Sequence, residues 1–189
     1  LGFVNDWSAR DIQQWESAPL GPFLGKSFGS TVSNWIVTTE ALAPFRVPQP
    51  PRPAGDPKPL PYLWDEADQK SGAFAIELEA SVLTEKMRAA GQAPHRRAHS
   101  NTLDLYWTIA QMVAHQASGG APLETGDLIA TGTVSGAAEE ARACLVEITK
   151  LGNEPLALPD GTQRVMLEDG DTLTLRGRAK VDGYVPIGF

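Results

Sequence analysis

An α+β chain, mostly β, with strands in a mixed sandwich or roll and one substantial helix, is the fold class that this sequence predicts. Three observations carry that expectation. Ile76, Leu78, Ala80 and Val82 alternate with Glu77, Glu79 and Ser81, which is the period of a half-buried strand. Leu103, Tyr106, Trp107, Ala110, Val113 and Ala114 recur at helical spacing. Beyond Gly119-Gly120 the remaining apolar runs are short and separated by glycine turns, the pattern of strands joined by tight connections.

Element by element, Ser8 to Trp15 predicts a short helix that Asp6 or Ser8 could cap. The stretch from Pro19 to Ser30 is so rich in glycine and proline that it predicts a loop held on a fixed path. Trp35 to Thr38 reads as a strand. Eight of the chain's fifteen prolines then fall between Pro44 and Pro61, which forces an extended, irregular segment. It reads as a surface excursion within one domain rather than an interdomain linker, because strand signals continue on both sides.

Ala73 to Leu83 is the clearest strand, and Thr84 to Ser100 is polar and loop-like. A helix is expected from Thr102 to Ala117, capped by Asn101 or Ser100 and stopped by Gly119-Gly120. Strands are expected at Leu128–Thr131, Ala143–Thr149, Arg164–Leu167 and Thr172–Arg176. The turns fall at Gly126-Asp127, Gly161 and Gly170-Asp171.

With 189 residues, 42% of them hydrophobic and 21% charged, the chain is long enough for one domain with its own core. A net charge of −7 disfavours binding to nucleic acid by phosphate neutralisation. No apolar run has the length that spans a bilayer, so a cytoplasmic protein is expected. The single cysteine, Cys144, excludes an internal disulfide framework and reads as an inert thiol. No serine-hydrolase elbow, Walker loop or dinucleotide fingerprint occurs.

Glu77 and Glu79 share a strand face and could hold a hard cation, but a solvated polar face is the simpler reading. His95 and His99 lie in a polar stretch without a third ligand, so zinc is not expected there. His115, near the end of the long helix, reads as structural. The N-terminal stretch is richer. Asp6, Arg10, Gln13, Lys26 and Ser30 place a carboxylate, a guanidinium, an amide, an ammonium and a hydroxyl within twenty-five residues. Arg10 and Gln13 share a helix face, and Lys26 sits on a glycine-rich loop. A functional site and a helix cap with surface charges both account for these residues.

These residues carry a resemblance. NDWSARDIQQWE at Asn5–Glu16 and PLGPFLGKSFGSTVS at Pro19–Ser33 are similar to motifs of the fumarylacetoacetate hydrolase superfamily. So are Tyr106-Trp107-Thr108, LETGDLIATGTVSG at Leu123–Gly136 and LEDGDTLTLRGRAKVDGYVPIGF at Leu167–Phe189. The resemblance runs in order along the whole chain. It is closest to the branch that hydrolyses 4-fumarylacetoacetate to fumarate and acetoacetate, a step of tyrosine and phenylalanine breakdown. The relatives that hydrolyse acylpyruvates or fumarylpyruvate, isomerise dienedioates or decarboxylate oxaloacetate are alternatives. A non-catalytic binding domain is a further one.

The resemblance implies a cytoplasmic homodimer that acts on a diketo acid with Mg2+ or Ca2+, or else Mn2+. It implies that Asp6 binds the metal and that Lys26 and Ser30 stand where a second cation is held. Arg10, Gln13 and Lys26 match residues that stabilise negative charge on the substrate and leaving group. Thr133 matches a hydroxyl that contacts the substrate, and Glu147 matches the glutamate that works with a histidine to activate water. Ser17 stands where that branch commonly has a substrate-contacting tyrosine. The family's other metal carboxylates and the histidine come from sequence upstream of Asp6. Residues 1–189 are accordingly expected to form a single incomplete catalytic domain, without the N-terminal domain, the first metal ligands and the extreme C-terminus. Alone, such a domain is expected to be inactive.

Overall fold

A computed structural model describes all residues, 1–189, in two compact units: Leu1–Ala41 with Phe189, and Leu42–Gly188. The first unit contains β1 (Val4–Asp6), α1 (Arg10–Glu16), α2 (Leu24–Ser27) and β2 (Ser30–Val32). β1 and β2 pair antiparallel, with Val4 opposite Val32, Asn5 opposite Thr31 and Asp6 opposite Ser30. Trp7 Nε1 donates to Thr31 Oγ1 at 2.9 Å and extends the pairing by side chain.

The expected strand at Trp35–Thr38 does not form. Val37 exchanges two backbone bonds with Leu1, at 2.8 and 2.5 Å, and the pairing goes no further. The expected helix is present but one to two residues later than its pattern suggested, and no side chain caps it. Asp6 is instead the last residue of β1.

The second unit continues with β3 (Arg46–Val47), α3 (Glu66–Ser71), β4 (Ala73–Phe74), β5 (Ile76–Leu83), α4 (Glu85–Ala89), β6 (His95–Asn101), α5 (Ile109–Ser118), α6 (Leu145–Ile148), β7 (Leu156–Ala157), β8 (Gln163–Arg164), β9 (Thr172–Ala179) and β10 (Ile187–Gly188). Its main sheet is antiparallel, in the order β10-β9-β5-β6. β3 with β4 and β7 with β8 make small separate ladders. The buried apolar residues, Leu42, Phe45, Ala73, Phe74, Ile76, Val82, Met87, Ala98, Ala141, Leu158 and Ala179, all belong to this unit. The fold is α+β.

Six expectations are corrected in this unit. Thr84–Ser100 is not a loop: Thr84 caps α4 through Met87 N–H, and β6 follows. β6 is the sheet's edge strand, and only Ala98 and Ser100 are buried in it, so its charged sequence matches the usual protection of an edge.

The long helix is shorter than its apolar spacing suggested. Asn101 and Asp104 close a capping box around a single 3-10 turn, and Thr108 and Gln111 close a second one that starts α5. Between them Gln49 Nε2 donates to the carbonyls of Leu105 (3.0 Å) and Tyr106 (3.1 Å), which leaves those acceptors outside any helix.

Leu128–Thr131 has no strand partner and stays irregular. Ala143–Thr149 reads as a short apolar strand yet coils into α6. Ile148 N–H bonds Cys144 O, Thr149 N–H bonds Leu145 O, and Thr149 Oγ1 donates to Leu145 O at 2.7 Å. Without a neighbouring strand, the backbone satisfies itself locally. The Arg164–Leu167 strand is reduced to β8, while Thr172–Arg176 extends to Ala179.

Apart from β3 and the 3-10 turns at its two ends, the proline-rich excursion is irregular, as its composition requires, but anchored. The Arg52 guanidinium lies 4.5 Å from the Tyr106 ring centroid and 4.2 Å from that of Trp107. Its nitrogens are buried without hydrogen-bond partners, so the two ring faces stand in for the lost water. Tyr106 Oη donates to Asp56 at 2.5 Å and holds the far side of the excursion.

Candidate functional site

The β1–β2 register makes Asp6 and Ser30 a directly opposed pair, and cross-strand partners on one face touch. Ser30 Oγ donates to Asp6 Oδ1 at 2.8 Å. Lys26, on α2, reaches the same residue: Nζ lies 3.2 Å from Asp6 Oδ2 and donates to Asp6 O at 2.9 Å. The Ser30 hydroxyl, and after it Lys26, hold the Asp6 carboxyl below the usual aspartate range. Asp6 therefore stays ionised in an exposed position.

Helix α1 supplies the neighbouring donors. Arg10 Nη1 donates to Gln13 Oε1 at 3.1 Å, as expected for residues three apart on one helix face. The Ser17 hydroxyl donates back to the carbonyl of Gln13 and so is engaged within its own helix end. Ala9 N–H donates to Gly25 O at 2.9 Å. Gly25 is buried, and a Cβ there would lie 2.7 Å from Gln13 N and 2.8 Å from its Cα, so only glycine allows this approach of α2 to α1.

One residue was missed by the sequence reading. Glu16, at the end of α1, accepts from three successive backbone N–H groups: Phe23 (2.7 Å), Leu24 (3.1 Å) and Gly25 (2.6 Å). Burial opposes its charge, but the Gly25, Phe23 and Leu24 amides outweigh it and hold its pKa below the ordinary glutamate value. The available signal was weak: a carboxylate six residues before a Pro-Phe-Leu-Gly turn.

In the second unit, Glu147 is exposed on α6 rather than on the strand expected at Ala143–Thr149. Ser135 Oγ donates to Glu147 Oε2 at 2.8 Å and accepts from Ala143 N–H at 3.1 Å. The turn that carries Thr133 thus also orients Glu147. Ser135 was legible only as a hydroxyl in TGTVSG. Thr133 itself is exposed. Asp6, Arg10, Gln13, Ser17, Lys26 and Ser30 belong to one unit, and Thr133 and Glu147 to the other.

The remaining candidates have local partners. Glu79 pairs with Arg96 at 2.5 Å and stands opposite Arg176 on β9, while Glu77 stands opposite Arg178. These are cross-strand charge pairs of a polar face. His99 lies opposite Glu79, and His95 opposite Val82. Tyr62 Oη lies 3.0 Å from His115 Nδ1, a tie between α5 and the turn before α3.

No group of three or more His, Cys, Asp and Glu residues that could hold a metal gathers anywhere in the chain. As an ionised hard-oxygen donor, Asp6 fits one position around Mg2+ or Ca2+. One carboxylate beside an ammonium does not complete such a site. No helix is long and apolar enough to cross a membrane.

Residues 2–184 match the family model described as fumarylacetoacetate (FAA) hydrolase C-terminal. The chain belongs to the fumarylacetoacetate hydrolase family. It is 48% identical over 190 residues to a protein of Arabidopsis thaliana named fumarylacetoacetase, with 100% of this chain and 42% of that protein covered. The fumarylacetoacetase of Dictyostelium discoideum is 43% identical over 191 residues, covering 100% of this chain and 42% of the relative. The one of Homo sapiens is 44% identical over 186 residues, covering 98% and 42%. The chain thus spans less than half the length of these relatives, and the match falls in their C-terminal region.

Proposed function

We propose that the natural protein carrying this chain hydrolyses a carbon–carbon bond of 4-fumarylacetoacetate and releases fumarate and acetoacetate. The observation that supports this reading most is the convergence of Lys26 and Ser30 on Asp6 across the β1–β2 ladder, with Arg10 and Gln13 on the adjoining helix. In a chain of this family, that convergence supplies one carboxylate for a divalent cation and several donors for developing negative charge. Asp6 would contribute to holding Mg2+, Ca2+ or Mn2+, with Lys26 and Ser30 at its edge. Such an ion polarises a carbonyl oxygen and neutralises charge on a diketone.

This chain supplies part of the remaining machinery. Glu147, held by Ser135, would work with a histidine from upstream of this chain to take a proton from water, whose oxygen adds to the carbonyl carbon. The bond between that carbon and the neighbouring methylene then breaks. The acyl fragment leaves as fumarate, and the electron pair goes to the enolate of acetoacetate, which takes up a proton. Lys26, Arg10 and Gln13 supply positive charge and N–H donors where that enolate forms. The finer sandwich or roll architecture, a homodimer, a cytoplasmic location and a place in tyrosine and phenylalanine breakdown belong to the same proposal.

Ser17 favours a second reading. Its hydroxyl is spent on the Gln13 carbonyl, so that position offers a substrate little. An acylpyruvate or fumarylpyruvate, processed by the same bond cleavage, fits such a site as well. The test is turnover by the full-length protein with added Mg2+ or Ca2+, followed as loss of the diketone's ultraviolet absorbance. Asp6→Ala is expected to lower kcat/KM by at least about a hundredfold, the cost of removing a group that acts with its neighbours as a unit. A variant as active as the parent overturns the assignment. Faster cleavage of an acylpyruvate than of 4-fumarylacetoacetate decides for the second reading.

A further inference from the structure

We infer that Glu16 is a positioning residue for the Lys26 site: its carboxylate fixes the turn that aims the Lys26 ammonium at Asp6. The inference rests on the function proposed above and adds a residue to its machinery.

The turn from Phe23 to Gly25 presents three consecutive N–H groups with no backbone partner of their own, as the first turn of any helix does. Glu16 takes all three, with Oε1 accepting from Phe23 and Gly25 and Oε2 from Leu24. Charged hydrogen bonds of this kind are the stronger class. Lys26 is the next residue along. Its N–H bonds Phe23 O at 3.1 Å, so its backbone is fixed by the same turn that Glu16 closes.

α2 has only four residues and buries only Gly25, so propensity and apolar packing contribute little to holding it. Glu16 also ends the helix that carries Arg10 and Gln13. One carboxylate therefore links the two elements bearing the cationic and amide donors. Both carboxylate oxygens are engaged by backbone donors, which leaves Glu16 to act through Lys26 and not on a substrate.

The consequence is a split between rate and binding. A lysine displaced by about an ångström still neutralises a substrate's overall charge but no longer meets the transition state, a loss on the order of a hundredfold in rate. In the full-length protein, Glu16→Ala is expected to lower kcat by that order while KM for 4-fumarylacetoacetate stays within a few fold. Glu16→Gln should fall between Ala and the parent, because its single oxygen can still accept from Phe23 and Gly25 while its amide faces the Leu24 N–H. The amide proton shift of Leu24 should move upfield in Glu16→Gln, with thermal unfolding close to the parent's.

A folded Glu16→Ala variant with the parent's kcat per active site overturns the inference. Should that variant not fold, an unchanged kcat in Glu16→Gln with a shifted Leu24 amide overturns it equally. An equal loss in kcat and in the fraction of folded protein, with KM unchanged, shows a merely structural carboxylate and also overturns it. Inactive parent protein, or an active Asp6→Ala variant, removes the functional reading itself. A parent that turns over and is silenced by Asp6→Ala leaves Glu16 alone under test.

Discussion

The two units of this chain are ordered by different forces. In Leu42–Gly188, eleven apolar residues are buried, among them Leu42, Ile76 and Met87 with essentially no exposure. In Leu1–Ala41 the one buried residue is Gly25, while Trp15, Leu20, Leu24, Trp35 and Ile36 are each more than 70% exposed. What holds the smaller unit is mostly polar: Glu16 on three amides, Ser30 and Lys26 on Asp6, Ser17 on Gln13 and the Leu1–Val37 pair, with one apolar contact, the Phe3 and Phe189 rings 5.1 Å apart. The residues proposed for charge stabilisation lie in the polar unit. A hydrogen-bonded scaffold fixes direction and leaves side chains open to a ligand, whereas an apolar core contributes stability without chemistry.

The comparison breaks most visibly in the core. Ile76 is 2% exposed on β5, between β6 and β9. Ile76→Ala is expected to lower the unfolding free energy by about 2–5 kcal/mol, from lost burial plus the cavity left behind. Urea titration measures it. A loss under about 1 kcal/mol would mean that the main sheet does not depend on this core.

How much of this was legible follows the same division. Strands with clear alternation, such as Ala73–Leu83 and Thr172–Arg176, were readable because one face meets the core. β6 was not, because an edge strand is written in charges rather than in alternating apolar residues. α6 was misread as a strand because Ala143–Ile148 is a short apolar run interrupted only by Glu147, and the deciding bonds from Thr149 to Leu145 are local capping choices. At the site, the motif order pointed to Asp6, Lys26 and Ser30, and the antiparallel register supplies the reason they meet. Glu16 was invisible because its partners are backbone amides, which have no letter in the sequence.

A smaller effect separates polar from apolar support inside the larger unit. Asp160 accepts from Thr162 Oγ1 and N–H and, at 2.6 Å, from Thr84 Oγ1, and Thr84 is itself 1% exposed. The Thr162 and Thr84 hydroxyls bring the Asp160 pKa from the ordinary 3.8 down to about 2. A carboxylate whose folded pKa is depressed contributes stability that is complete above the unfolded value and lost as pH falls to the folded one. The gap in stability between the parent and Asp160→Asn should therefore be constant above pH 3.8 and close between that value and about 2. A gap that persists unchanged at the acid end would assign the effect to shape rather than to the charge.

The smallest expected effect is the sharpest test of the contrast. Trp15 stands on α1 with 89% of its surface exposed, and Trp35 follows with 81%. In water a ring so placed loses almost no hydration on folding, so its removal deletes little burial. Tryptophan and serine also have similar helix propensities, so Trp15→Ser does not alter the helix's intrinsic preference by more than a few tenths of a kcal/mol. The change in unfolding free energy of the 189-residue chain should lie within about 0.5 kcal/mol, as for ordinary surface substitutions. The fluorescence difference between the parent and Trp15→Ser adds a second readout, since the one of five tryptophans removed should be emitting at the wavelength of a solvated indole. A loss above about 2 kcal/mol, with blue-shifted emission, would mean that Trp15 is covered in the folded molecule. The smaller unit would then have apolar support beyond the Phe3–Phe189 contact, and its order could no longer be assigned mainly to Glu16 and Asp6.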